Sequence, residues 1–412
     1  MSGERRFPDG FLWGCATAAH HVEGNNHNCD WWEFEQRGGI LTGDSADPAC
    51  DHYRRFREDF QLLRRMNNNA HRLSIEWSRI EPAPGEFDVA QIEHYRQVLL
   101  ELRDHGMAPM VTLHHFTSPI WFARQGGWAA AGAHEAWLPF VRRVADELGE
   151  LVAFWCTLNE PNIYAYQGWL AGEFPPAHRG DLRGAYRVLA NMRRGHEAAY
   201  DALSRLTPAV PVGVAQHKWL MLPANQGRRR DRFAAGAAQF FMDRWPAGRR
   251  WLRVVEAPAD YLGLNHYTGS LVAFSVRHAG EGFARRFNPA DLPVSDFDWP
   301  VEPSWLRTCL EQLRRLRKPI YVTENGLATT DDRRRVDFLH DVLGQLWLAI
   351  QDGADVRGYF HFSSHDNFEW ARGYSMRFGL VGVDWKTQER TVKPSGRVYA
   401  QIAQSNSLPA TA

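Results

Sequence analysis

Residues 319–326 read PIYVTENG, an apolar run that ends abruptly in a carboxylate, an amide and a glycine. Such a run lacks polar alternation, so it reads as a parallel strand buried on both faces, with Glu324 at its C-terminal end. Working outward from Pro319–Thr323, similar candidate strands occur at Phe11–Ala16, Ala70–Ile75, Ala108–His114, Val152–Leu158, Val210–Ala215, Tyr261–Asn265 and Val356–Phe362. Amphipathic segments alternate with them at His52–Met66, Ala90–His105, Glu135–Gly149, Ala185–Leu206, Ser304–Leu316 and Arg335–Asp352. In the first of these, Phe56, Phe60, Leu63 and Met66 recur at helical spacing. Strands alternating with helices build βαβ units and a parallel sheet. Eight such strands suggest an α/β fold, a single-domain (β/α)8 TIM barrel over residues 1–412 with its core at about 7–400. The alternative, an open doubly wound sheet, would often bring a glycine-rich phosphate loop, and neither GxGxxG nor GxxxxGK[ST] occurs.

The 412 residues are 44% hydrophobic, ample for one large core without metals or disulfide staples. Forty-eight basic and 48 acidic residues cancel, so the broad basic footprint of a nucleic-acid binder is missing. No apolar run approaches the ~18–20 residues that cross a bilayer. The N-terminal residues lead into Phe7-Pro8-Asp9-Gly10 without an apolar signal segment. Five widely spaced cysteines (Cys15, Cys29, Cys50, Cys156, Cys309) fit neither a disulfide framework nor a CxxC metal site. Buried or semi-buried thiols in a reducing cytoplasm are the plain expectation. Gln226–Arg250 reads as a long surface excursion, Glu281–Trp299 as another loop, and Gln404–Ala412 as a frayed tail.

In a barrel of this kind the chemistry sits at the C-terminal ends of the strands. Strand four ends Thr157-Leu158-Asn159-Glu160-Pro161 and strand seven ends Thr323-Glu324-Asn325-Gly326. Two glutamates therefore emerge at comparable depth from opposite sides of the barrel. A carboxylate pair astride one bond is the equipment for acid/base and nucleophilic cleavage of a glycoside. Either glutamate alone would more often be an ordinary strand-end carboxylate; the joint placement, each beside an amide, reverses that balance. The remaining rim carries His20-His21, Arg72, His114-His115, Asn265-His266-Tyr267 and His365–Trp370, polar groups interleaved with aromatic ones. Sugar hydroxyls need paired partners and the apolar face of the ring needs an aromatic platform. One carboxyl must stay protonated near neutrality and the other ionised. Arg72 can hold Glu324 anionic and the Tyr267 hydroxyl can donate to it, which leaves Glu160 as the proton donor.

Five ordered motifs, Phe7–Gly24 (FPDGFLWGCATAAHHVEG), Ala70–Pro82 (AHRLSIEWSRIEP), Thr157–Pro161 (TLNEP), Tyr321–Leu327 (YVTENGL) and Asp366–Leu380 (DNFEWARGYSMRFGL), resemble family 1 glycoside hydrolases. The likeness runs in order and spacing from Phe7 to about Tyr399. It implies a retaining β-glucosidase on a (β/α)8 barrel, with Glu160 as general acid/base and Glu324 as nucleophile. Arg72, Asn159, Asn265 and Tyr267 would support them. His115, Glu369 and Trp370 would bind the sugar, and Trp299 would be the platform for the leaving group. The implied substrate is a small β-glycoside or oligosaccharide, with no cofactor, no metal, no nucleic acid and no membrane partner. The length fits a monomer or a homo-oligomer.

Departures from the family pattern fall around the sugar. His21 stands for a glutamine, after His20 in place of an aromatic residue. Phe116 stands for the tryptophan after His115, His266 for a tyrosine, and Phe362 for the tryptophan of the pocket floor. Phenylalanine keeps a stacking face and loses the indole N–H; a histidine keeps hydrogen bonding and brings pH sensitivity near neutrality. The expectation is altered or relaxed hydroxyl selectivity, broad for gluco, fuco and galacto sugars, against the alternative that the changes compensate one another. Glu369 argues against phosphorylated sugars, which it would repel, and Glu160 against a thioglucosidase, in which a glutamine takes its place. A transglycosylase on the same site, or a non-catalytic sugar-binding relative, remains an alternative. The adjacent histidines are expected to point opposite ways along strands, unsuited to a metal. Trp77, Trp137 and Trp347 read as packing residues, and Arg228–Arg230 and Arg333–Arg335 as solvated charge runs.

Overall fold

The structure is a computed structural model that describes residues 4–247, 250–253, 257–281 and 283–409. Eight strands form the central sheet: β1 (Leu12–Ala16), β2 (Ala70–Ser74), β3 (Ala108–His114), β4 (Phe154–Asn159), β5 (Val212–His217), β6 (Tyr261–Asn265), β7 (Ile320–Asn325) and β8 (Val356–Phe362). Neighbours in sequence are neighbours in space and every pair is parallel; β8 pairs with β1, Gly358 opposite Leu12, which closes the barrel. The strands lie within two residues of the expected positions. Two differences matter: β5 and β7 each run two residues further, to His217 and Asn325. Polar residues at a strand end keep their ladder bonds, so apolar content alone understates strand length.

The helices that cover the barrel are α1 (His52–Arg65), α2 (Val89–Asp104), α3 (Ala133–Leu148), α4 (Leu182–Leu206), α5 (Arg229–Asp243), α6 (Ser304–Arg314), α7 (Asp332–Gln351) and α8 (Pro394–Ser405). Side-chain caps start several of them: Asp88 accepts from the amides of Ala90 and Gln91, and Asp181 from that of Gly184. The apolar stripe of α3 (Trp137, Phe140, Val141, Val144, Leu148) is fully buried, as helical spacing on one face requires. A separate inner cluster, with Met110, Tyr261, Tyr321 and Phe360, fills the barrel itself, which is packed rather than open. Gly14 makes room for that filling: a Cβ there would lie 2.7 Å from the Ala70 carbonyl oxygen and from the Phe360 ring.

Several expectations are corrected. Most of Gln226–Arg250 is the helix α5, because its alanines favour a helix and bury Ala234, Ala235 and Ala238 against Met221, Val272 and Ala284. Glu281–Trp299 contains the strand Ala284–Phe287, antiparallel to Gly269–Phe274, which in turn pairs with Leu220–Pro223. The tail is anchored, not frayed, through Leu408: Ser407–Leu408 pairs with Arg5–Arg6, and Asn406 accepts from the Trp13 indole at 2.9 Å. Residues 248, 249, 282 and 410–412 of these stretches lie outside the described residues. Arg335 is not solvated. It is fully buried, donates to the carbonyls of Thr329 and Arg377, each at 2.6 Å, and so ties α7 to the loops after β7 and β8. Trp77 and Trp137 are core residues; Trp347 is half-buried and donates to the Arg6 carbonyl. All five cysteines are free and buried. Among the described residues no helix is long and apolar enough to cross a membrane.

Candidate active site

The C-terminal ends of the strands surround a pocket lined by His21, His115, Phe116, Asn159, Glu160, Tyr267, Trp299, Glu324, Phe362, Glu369 and Trp370. Arg72 and Asn265 lie beneath it, fully buried. Every site residue expected from sequence is therefore brought to one place. Glu160 follows β4 with φ of 42°, a left-handed conformation that costs a side-chain-bearing residue of order 1 kcal/mol. Pro161, which has no N–H to waste at a helix start, opens the next helix, Pro161–Ala165. The abrupt turn swings the Glu160 carboxyl over the barrel. Phe116 and Trp370, two further pocket walls, share positive φ values of 70° and 47°.

A continuous network holds both carboxyls. The Arg72 guanidinium forms an ion pair with Glu324 Oε1 and donates through its other arm to Asn159 Oδ1 at 2.7 Å. The Tyr267 hydroxyl donates to Glu324 Oε2 at 2.7 Å. Asn265 Nδ2 donates to Asn159 Oδ1 at 3.0 Å and to Glu160 Oε1 at 2.8 Å, while Asn265 Oδ1 accepts from Thr323 at 2.7 Å. Burial pushes the Glu324 carboxyl above the ordinary carboxylate range and the nearby Glu160 adds to this; Arg72 and Tyr267 oppose it by favouring the charged form. Of the two carboxyls, the cation and the phenol contact Glu324, and both favour its charged form.

Two histidines that line the pocket, His21 and His115, are neutral. Burial, with a contribution from His20, holds His21 well below the ordinary histidine range. That corrects the expected pH sensitivity near neutrality: a fully buried imidazole does not charge there. Neither ring nitrogen of His21 has a partner among the described residues. A neutral imidazole presents one donor and one acceptor, as the amide of a glutamine does. His115 is held low by burial and then by Arg72. Its Nε2 faces the Asn159 amide nitrogen at 3.0 Å, which places the proton on Nδ1, an atom without a partner among the described residues. His20 and His21 lie on a one-turn helix, Ala19–Val22, rather than on a strand. His20 pairs with Glu35 at 2.8 Å and stacks on Trp370, 5.9 Å between centroids. His266 does not line this pocket: alternation along the chain turns Asn265 and Tyr267 inward and His266 outward, bonded to the Lys218 carbonyl at 2.8 Å. Phe362 packs between His21 and Phe378. Trp299 is half-buried and stacks on Phe297 at 4.2 Å. No group of three or more His, Cys, Asp or Glu suited to a metal occurs among the described residues.

Burial raises the Glu369 carboxyl to about 8; Glu324 and Glu160 reinforce the shift and the Asn367 amide opposes it. At neutral pH this group is a carboxylic acid, able to donate to a hydroxyl. The folded chain holds this proton between about pH 4.5 and 8 while the unfolded chain loses it, so this group's contribution to stability falls as pH rises through that window. Glu369→Gln should gain thermal midpoint relative to wild type as pH rises from 5 to 9, by up to several degrees, as read by melts at several pH values. Parallel melting curves at every pH would contradict this.

Sequence reading missed His217, Trp219, Phe297 and Phe378, all pocket residues. His217 ends β5, and a strand assigned only to Ala215 stops two residues short of it. Trp219 and Phe297 sit on loops without local pattern, and Phe378 lies within the Asp366–Leu380 motif without standing out as a pocket residue.

A closed parallel barrel carrying this buried carboxyl pair at its C-terminal mouth is the architecture of a glycoside hydrolase. The sequence profile of glycosyl hydrolase family 1 matches residues 3–252 and 249–408, and the chain belongs to that family. Among its relatives, β-glucosidase A of Thermotoga maritima is 32% identical over 446 aligned positions, covering 98% of this chain and 99% of that protein. Among solved structures, a β-glycosidase from Pyrococcus horikoshii superposes with a TM-score of 0.91 at 36% identity, covering 98% and 96% of the two chains. The β-glucosidase of Thermotoga maritima in complex with glucoimidazole superposes with a TM-score of 0.92 at 31% identity, covering 98% and 100%.

Proposed function

We propose that this glycoside hydrolase is a retaining exo-β-glycosidase of β-glucosidase type that releases terminal non-reducing β-linked sugars. The observation that carries the reading is the asymmetric support of the two carboxyls among the described residues: Arg72 and Tyr267 contact Glu324, whereas the Asn265 amide and His217 contact Glu160. In the first step an oxygen of Glu324 bonds to the anomeric carbon. The glycosidic C–O bond breaks, and its electrons go to the departing oxygen, which takes the proton from Glu160. In the second step Glu160, now a carboxylate, accepts a proton from water. The water oxygen bonds to the anomeric carbon and Glu324 is released. Asn159, Asn265, Arg72 and Tyr267 hold the carboxyls. His21, His115 and Glu369 hydrogen-bond the sugar, Trp370, Phe116 and Phe362 wall it, and Trp299 faces the leaving group. The chain works as one barrel domain, without metal or cofactor, in a reducing cytoplasm. Its free buried thiols support that location.

Selectivity among gluco, fuco and galacto sugars is expected to be broad, because His21 and Phe362 replace a flexible amide and a larger indole with stiffer or smaller groups. Release of nitrophenol from β-glucoside, β-galactoside, β-fucoside and β-xyloside, beside their α-anomers, tests the class. Proton NMR of the first-formed sugar tests retention. The expected result is turnover of the β set alone with β-sugar appearing first. An α-sugar as first product would replace the double displacement by inversion. A strict preference for glucoside would remove the broad selectivity.

A further inference from the structure

His217 ends β5 directly opposite Asn265, which ends β6. The two side chains converge on one atom: Asn265 Nδ2 lies 2.8 Å and His217 Nδ1 3.0 Å from Glu160 Oε1. An oxygen of this kind, whether in the carboxylate or as the carbonyl of the acid, only accepts when the proton is elsewhere. His217 therefore donates from Nδ1. With both lone-pair directions of Oε1 occupied by donors, a proton on Glu160 resides on Oε2. The imidazole also lies nearly parallel to the Tyr267 ring, 6.0 Å between centroids at 17°, and Tyr267 is the phenol that donates to Glu324. It is buried, with Nε2 lacking a partner among the described residues, so its one hydrogen bond of consequence is the one to Glu160.

We propose that His217 is a positioning residue for the acid/base step. Together with Asn265 it pins Glu160 Oε1, so that the transferable proton sits on Oε2 and faces the departing oxygen. This rests on Glu160 being the acid/base group. The consequence is selective by leaving group. A sugar or alkyl alkoxide cannot leave without that proton, whereas a dinitrophenolate leaves without it. Misplacing the proton should therefore slow bond cleavage only for the first kind.

The test compares kcat/KM for a β-linked disaccharide with that for the 2,4-dinitrophenyl β-glycoside of the same sugar. Rates are normalised to sites titrated by a 2-deoxy-2-fluoro dinitrophenyl glycoside, which removes any misfolded fraction. His217→Phe retains the ring against Tyr267 and removes the donor. It should lose more than about tenfold on the disaccharide and less than about threefold on the dinitrophenyl substrate. His217→Asn can place an amide N–H near the same oxygen and should restore most of the disaccharide rate. Equal losses of His217→Phe on both substrates, no loss on either, or His217→Asn as impaired as His217→Phe would overturn the proposal. Glu160→Ala is run in parallel. If it too shows no leaving-group split, the acid/base reading of Glu160 fails; if it shows the split and His217→Phe does not, only the role of His217 fails.

Discussion

Glu324→Ala should lower turnover of every β-glycoside by more than about 10⁴-fold, the scale seen when a covalent nucleophile is deleted. The fold should survive, because the variant removes a buried carboxyl that burial itself disfavours in charged form. It does leave the Arg72 cation without its ion-pair partner, so a moderate drop in thermal midpoint is expected. The decisive readout is chemical. The methyl of alanine leaves space beneath the anomeric carbon, and added azide or formate can fill it. Azide attacking from that side displaces the leaving group once, so an activated β-glycoside should yield the α-glycosyl azide. Rescue by azide that gave the β-azide would place the nucleophile elsewhere and the acid/base group at this position.

Arg72→Met should be the most damaging change outside the two carboxyls. Arg72 is fully buried and joins Glu324 to Asn159 through two arms of one guanidinium. Removing it leaves a buried carboxyl without its countercharge, a loss of about 3–5 kcal/mol where such pairs are broken. It also removes the largest influence that keeps Glu324 ionised, leaving burial and Glu160 to push its carboxyl further up. The ionised fraction at neutrality drops, so the acid limb of the kcat/KM profile should move to higher pH. Arg72→Lys separates charge from geometry. A lysine keeps the cation, holding the acid limb near its original place, and loses the fork that also grips Asn159, so the rate still falls. An unmoved acid limb in Arg72→Met would show that Glu324 does not depend on this cation for its charge.

Much of this protein was legible in sequence because its decisive signals are local. A buried parallel strand is a short apolar run, and the few residues just beyond each run form the barrel rim. That reading places Glu160 and Glu324 at strand ends, and the structure puts them in one pocket. Composition misled at α5, where arginine and alanine suggested a surface loop and the alanines instead pack a helix. It misled at Arg335, where a run of arginines suggested solvent and three backbone carbonyls hold the last of them inside.

The sequence alone determined the eight-fold alternation, the two carboxyls and the residues that flank them, since each is written within a few consecutive positions. Only the tertiary structure decided which neighbours those groups meet. It set His217 on Glu160 through the pairing of β5 with β6, turned His266 away from the pocket, and buried His21 deeply enough to keep it neutral. These outcomes depend on register, side-chain direction and loss of solvent. They arise between segments far apart in the chain, and no local pattern carries them.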